Sequence, residues 1–389
     1  MTSLSAERIA AVDVLRGFAL FGILLVNMRY FSSPALYAED VGGSFFDRAV
    51  AAAIDLLFEA SAYPLFAFLF GFGTAILCHR LRQRGKRPIP ILLRRFLLLF
   101  VFGAIHAFGL WFGDILIPYA LAGLMLLLFM NAPPRWWRTA ALAGFFLFHG
   151  LVALLLAISM MAGWTGAADG QETEAAAALR HYQSGTFRDV FWQRWHDWLY
   201  LNSDGGLLFT LLAVLPFCLL GAYAAKERWL EAERYPAATL RRFMGVALCL
   251  GLALKTIPYW ARANTLTMYI QDNVGGAVLA VFYAAAAMFV CGKANWRPAW
   301  RWLQNAGRMS LTHYLAQSLI CTSLFYSYGL GWYGRLNEWQ GALLAIGIYA
   351  ASLWASRRWF ARFRFGPVEW LWRWGTYGMR PPFRRQPGQ

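Results

Sequence analysis

The chain has 389 residues, of which 59% are hydrophobic and only 14% charged, against roughly 45 to 50% apolar and about 25% charged in an ordinary soluble domain. That composition excludes disorder and argues against a soluble globular fold. The net charge of +16 and pI near 10.0 raise the question of a nucleic-acid or other polyanionic partner, which the placement of the charges answers below.

In chain order, ten apolar runs are each about long enough to cross a ~30 Å hydrocarbon core. They cover residues 9–30, 51–78, 96–111, 115–130, 139–163, 206–225, 243–257, 273–292, 309–328 and 341–356. The predicted fold is all-α: a polytopic membrane protein with about ten transmembrane helices. Residues 1–356 form a single helical domain with an external loop at 164–205, and 357–389 form a cytoplasmic interfacial helix and tail. The first run is not a cleaved signal peptide, because it carries Asp13 and Arg16, exceeds an h-region in length and lacks a small-residue exit site. Five cysteines, Cys78, Cys218, Cys249, Cys291 and Cys321, lie in or beside apolar runs without CxxC spacing and read as buried free thiols.

Lys and Arg in loops set the orientation of such a protein. With both termini cytoplasmic, the inner segments hold 27 Lys and Arg and the outer loops 6, giving faces of about +22 and −6. The basic excess is therefore a sidedness signal, and no nucleic acid is needed to explain it. The bilayer is the expected partner, and the bacterial inner membrane the expected location.

Two segments outside the runs carry aromatic residues at helical spacing. In the external loop, Trp192, Trp195 and Trp198 fall near one face of a helix, as in an interface anchor or a lid over an external site. From 357 to 377, Arg alternates with Trp and Phe, which suits a cytoplasmic helix at anionic headgroups.

Ionisable groups inside a bilayer cost a few kcal/mol on insertion scales, so each is a functional candidate. Here they form two layers. Toward the cytoplasm lie Asp13 and Arg16, three apart on one helix face. They read either as a structural ion pair or, through Arg16 with Arg94, Arg95 and Arg308, as a holder of an anionic group such as nucleotide phosphates. His313 and Gln317, four apart, could line the same space. Toward the outside lie Asn27, Asp55, Glu59, His106 and Asp114. A histidine near carboxylates in a partly dry cavity suits a general base or proton relay, while a structural histidine bonded across helices is the competing reading. His149, with no acidic neighbour in sequence, reads as structural. No GxSxG elbow, HExxH or Walker motif occurs, no metal is expected, and the GFG at Gly71 to Gly73 reads as close helix packing.

Five ordered motifs carry a resemblance: ERIAAVDVLRGFALFGILLVNMRYF (7–31), FLFGFG (68–73), RRFLLLFVFGAIHAFGLWFGDILIPYALAG (94–123), GRMSLTHYLAQS (307–318) and FRFGPVEWLWRWGTYG (363–378). By these the chain is identified as a member of the YeiB-like family of bacterial inner-membrane proteins. That family is grouped with the transmembrane acyltransferases and is similar in plan to heparan-alpha-glucosaminide N-acetyltransferase. The resemblance implies transfer of an acyl group from cytoplasmic acyl-CoA, such as acetyl-CoA, to a small-molecule or glycan acceptor on the far side. It implies His106 as the catalytic histidine, Asp114 as its supporting acid, and Asp13 and Arg16 near the donor. The chain departs from the family pattern at His313, where Asn is usual. A transporter or flippase of a small or lipid-linked substrate is the alternative, with charged groups at two depths serving as binding and gating groups. A homo-oligomer is compatible with either.

Overall fold

A computed structural model describes residues 9–38, 43–163, 171–231 and 234–385. Glu7, Arg8, Trp164 and the last four residues of the tail lie outside this description.

Among the described residues the regular structure is helical, apart from one isolated bridge between Phe363 and Arg384. In order the helices are α1 (Ala10–Ser32), α2 (Phe45–Leu57), α3 (Ala62–Gln83), α4 (Pro88–Gly109), α5 (Leu116–Phe129), α6 (Pro134–Met161), α7 (Gln171–Ser184), α8 (Phe187–Asn202), α9 (Gly206–Lys226) and α10 (Ala237–Lys255). They continue as α11 (Ile257–Trp260), α12 (Thr265–Ile270), a π-helical turn Gln271–Gly275, α13 (Gly276–Cys291), α14 (Arg297–Arg308), α15 (Ser310–Phe325), α16 (Glu338–Phe360) and α17 (Pro367–Tyr377).

Seven of these units are long and apolar enough to cross a membrane: α1, the α2–α3 run, α4, α6, α9, α10 and the run from α12 to α13. The protein thus has the character of a multi-pass membrane protein. The ten expected spans include three that fall short on length or composition. The 14 residues of α5 reach about 21 Å and the 16 of α15 about 24 Å at 1.5 Å per residue, and α16, though 23 residues long, is not apolar enough on average. The run expected at 51–78 is broken at residues 58–61, where Ala60 adopts φ 54°. The carbonyl of Ala60 lies against Gly276, so close that a side chain at Gly276 would overlap it; the break makes room for the start of α13.

Burial separates a central from a peripheral layer. In the most apolar stretch of α1, 72% of residues are buried, against 11% for α6. α6 turns Phe146, Leu147, Leu151, Leu154 and Leu155 outward, a surface that only a lipid or another apolar phase satisfies. α3 and α9 meet backbone to backbone: a Cβ on Gly71 would overlap the Cys218 carbonyl, and one on Gly221 the Phe68 carbonyl. This is the close packing expected of the GFG segment. Gly307 of α14 likewise abuts the Asp13 carbonyl of α1. The five thiols are free; Cys78, Cys218 and Cys321 are buried, but Cys249 is exposed on α10, a peripheral helix with only 17% of its most apolar stretch buried.

The segment expected as an external loop is a folded helical pair, α7 and α8. α8 starts with a capping box in which Thr186 and Asp189 satisfy each other's backbone N–H groups. Trp192 and Trp195 are exposed, as an interface anchor would be. The opposite face buries polar side chains, Gln193, Arg194 and Asp197. Asp197 accepts hydrogen bonds from Tyr37 (2.6 Å), Tyr182 (2.5 Å) and Gln193 (2.7 Å). Burial pushes its carboxyl up, against the pull of those three donors.

Candidate functional site

His106 sits three residues before the end of α4, fully buried (0% exposed). Both of its ring nitrogens are engaged. Nδ1 lies 2.8 Å from Asp114 Oδ1, and Nε2 lies 2.8 Å from Ser318 Oγ of α15. The turn between α4 and α5 delivers Asp114, whose Oδ2 accepts from the Ile117 N–H at 2.7 Å and so fixes the carboxylate at the start of α5. A carboxylate at Nδ1 holds the proton there and leaves Nε2 as acceptor for the serine hydroxyl. Tyr314, one helical turn before Ser318, packs its ring 4.7 Å from the imidazole, accepts from the Ile115 N–H and donates to the Gly113 carbonyl at 3.2 Å.

Two cavities approach this cluster from opposite ends of the bundle. The first, about 450 Å³, is lined at its mouth by Arg16, Arg80, Arg84, Arg95, Arg308 and Arg373, and at its inner end by Ile115 and Tyr314. Between the two, Leu20, Phe66, Phe70 and Leu99 make an apolar neck. The second, about 710 Å³, is lined by Asn27, Asp55, Glu59, Asp272 and Glu338, and reaches Trp111, Phe112 and Gly113. The turn from Trp111 to Ile115 is therefore the partition, touched by one cavity at Gly113 and by the other at Ile115. α1 lines both, from Val12 to Ile23 in the first and from Leu25 to Tyr30 in the second.

At the first cavity, the sequence candidates divide. Arg16 bonds Asp13 (3.4 Å) and the Leu69 carbonyl (3.4 Å) while also lining the space, so the ion pair does not remove Arg16 from the cavity wall. Arg95 and Arg308 line it as well. Arg94 is exposed and does not. His313 points instead to α16, with Nε2 2.6 Å from Ser356 Oγ, and Gln317 is buried away from the cavity. The C-terminal helix is a wall of this cavity, which an anchoring role alone does not explain. Trp372 stacks under the Arg95 guanidinium at 3.5 Å and donates to the Arg95 carbonyl at 2.9 Å. Glu369 caps α15, accepting from the N–H groups of Leu311 (2.7 Å) and Thr312 (3.1 Å) and from the Thr312 hydroxyl (2.6 Å). Ile9 and Tyr377 border the same space, so the start of α1 and the end of α17 meet at one end of the bundle.

At the second cavity, Asp55 and Glu59 are joined by partners that sequence reading missed. Lys255, 0% exposed, reaches Asp55 (3.3 Å) and Asp272 (3.1 Å), and Asp55 also accepts from Gln271 (2.5 Å) and Tyr259 (3.2 Å). The π-turn aims Gln271 and Asp272 at this cluster. Arg29 pairs with Glu338 at 3.4 Å. His149, read as structural, bonds Tyr269 at 2.7 Å. Ser318 was missed because a lone serine in an apolar helix carries no local signal. Its place one turn after Tyr314, at the end of the GRMSLTHYLAQS motif, was the available hint.

A family model described as "Protein of unknown function (DUF418)" matches residues 224–379. The protein YxaH of Bacillus subtilis is 37% identical over 96% of each chain. The chain belongs to the YeiB-like family. A 39.9 kDa protein encoded in the amylase 3' region of Bacillus acidopullulyticus is 30% identical over 97% of this chain and 96% of its own. YeiB of Escherichia coli is 28% identical over 94% of this chain and 96% of its own. The three matches cover 94 to 97% of this chain.

Proposed function

We propose that this YeiB-like protein is a membrane-embedded acyltransferase, drawing an acyl group from cytoplasmic acyl-CoA and delivering it to a hydroxyl or amine acceptor on the periplasmic side of the bacterial inner membrane. One observation carries the reading: the His106–Asp114 pair stands in the partition between an arginine-mouthed cavity and an acidic one at the other end of the bundle. In this reading α5, α15 and α16 complete ten crossings over residues 1–356, both termini are cytoplasmic, and the segment from 357 closes the donor mouth.

The chemistry suits the donor. Six arginines against two acids, Asp13 and Glu369, line the first cavity among the described residues, a surplus that matches clustered phosphates. Trp372 and Tyr377 at the mouth offer faces for an adenine. From Arg95 to His106 is eleven residues of α4, or about 16 Å, the reach of an extended pantetheine arm along the apolar neck. His106, held by Asp114, supplies the base, and general-base catalysis of this kind contributes about 10²- to 10⁴-fold.

The test is direct. Protein in lipid vesicles is given labelled acetyl-CoA and the release of free CoA is followed, with His106→Ala as control. Release that depends on His106 is expected; no release, or full release by His106→Ala, overturns the reading.

One feature favours a second reading, transport of a small or lipid-linked substrate. The π-turn interrupts the run from α12 to α13 beside the Lys255 cluster, and interrupted helices at charged sites mark transporters. Substrate movement into proteoliposomes without any acyl donor would establish it.

A further inference from the structure

We propose that Ser318 is the nucleophile of this site and carries the acyl group as a serine ester. The inference rests on the acyltransferase reading for the identity of the donor, but its geometric basis is independent of it.

His106 has no ring nitrogen to spare. Nδ1 is held by Asp114 at 2.8 Å and Nε2 by Ser318 Oγ at 2.8 Å. Neither nitrogen faces an acceptor or a thioester directly, so what the imidazole activates is the group already on it. Two segments 212 residues apart, α4 with the turn that follows it and α15, converge to make this one chain of carboxylate, imidazole and hydroxyl. A nucleophile bonded to a base that is itself oriented by an acid is the arrangement that activates a serine. The second contact of Ser318 Oγ, to the Tyr314 carbonyl, is longer at 3.3 Å.

Ser318 is 1% exposed, so in the proposed reaction a neighbouring side chain must move to admit the donor, and that role falls to Tyr314. Tyr314 and Ser318 are four apart on α15 and share a helix face, and Tyr314 lines the inner end of the arginine-mouthed cavity. Rotation of the Tyr314 ring opens that cavity onto Ser318 and frees the Ile115 N–H that its hydroxyl now accepts from. A freed backbone N–H at that point is placed to stabilise an oxyanion.

In the first step, Ser318 Oγ attacks the thioester carbonyl carbon while His106 Nε2 takes the hydroxyl proton. The C–S bond breaks, and His106 returns that proton to the departing thiolate, leaving an acyl-serine and a free thiol. In the second step, His106 takes the proton of the acceptor hydroxyl or amine, which attacks the ester carbonyl. The C–Oγ bond breaks, and the proton passes to Ser318 Oγ.

The experiment uses the full chain in lipid nanodiscs with two donors, labelled acetyl-CoA and p-nitrophenyl acetate, followed by acid quench and peptide mass mapping. Ser318→Ala, Ser318→Cys and His106→Ala are compared, each with a thermal melt. The proposal expects acetyl on the Ser318 peptide from both donors, none in His106→Ala, a hydroxylamine-labile thioester in Ser318→Cys, and transfer reduced about 10³-fold or more in Ser318→Ala. Acetyl on Ser318 from the ester, with acetyl-CoA neither consumed nor bound, upholds the nucleophile and overturns the donor. Acetyl-CoA turnover that persists in a normally melting Ser318→Ala, with no label on Ser318 in the wild type, overturns the nucleophile and leaves the acyltransferase standing. Neither label nor consumption with either donor overturns both.

Discussion

The buried guanidinium of Arg194, on α8, donates from one nitrogen to the carbonyls of both Gly109 (2.7 Å) and Leu110 (2.8 Å). These are among the last carbonyls of α4, the orphan acceptors that a helix end must satisfy, and a cation there also complements the helix dipole. The α7–α8 pair thus grips the end of the helix that holds His106.

Arg194→Met is therefore expected to do more than remove surface charge. Stripping two charge-assisted bonds from a side chain that is 1% exposed costs about 2 to 4 kcal/mol, read as a lower melting temperature. Arg194→Lys, which keeps the charge but not the fork, should recover only part of it.

Arg95 and Arg94 are adjacent, yet only Arg95 lines the arginine-mouthed cavity. Arg95→Ala should weaken CoA binding by tenfold or more, about 1.4 kcal/mol or above, and Arg94→Ala should leave it nearly unchanged. Calorimetric titration at two salt concentrations checks this, because affinity held by phosphate contacts falls as salt rises.

Lys255 holds two carboxylates together. Removing one partner of a buried pair leaves uncompensated charge, so Lys255→Met is expected to lose about 3 to 5 kcal/mol. Adding Asp55→Asn and Asp272→Asn to it should restore much of the melting temperature, which a purely steric role of the lysine would not predict.

Asp197 gives a pH prediction. Burial raises its carboxyl above the ordinary value, so the folded state binds the proton more tightly than the unfolded one. The stability this contributes is present at acid pH and is lost as pH rises from the ordinary carboxylate range through the raised value. The melting-temperature advantage of wild type over Asp197→Asn should accordingly shrink from acid toward neutral pH. An advantage that grows with pH would reverse the assignment.

What the sequence made legible follows from what is local. The apolar runs, the paired aromatics of α8, and His106 with Asp114 eight residues on were all readable, because each depends on near neighbours. The bonds from His106 to Ser318 and from Lys255 to Asp55 span about 200 residues, and no spacing rule reaches that far. The run at 51–78 read as one helix because Ala60 is a good helix former; only the approach of Gly276 to its carbonyl explains the break. α8 read as an anchor because its tryptophans are conspicuous, while the polar side chains on its other face look solvated until Tyr37 and Tyr182 are seen bonded to Asp197.

The contact of α3 with α9 through Gly71 and Gly221 leaves no side chain between two backbones, and so nothing that can slide. The two helices behave as a single stiff beam, and α3 is a long wall of the arginine-mouthed cavity. Opening the partition then falls to single side chains such as Tyr314, whose motions are local, rather than to collective helix movements on the microsecond to millisecond scale. A transport cycle that rocks one half of the bundle against the other would first have to prise this beam apart.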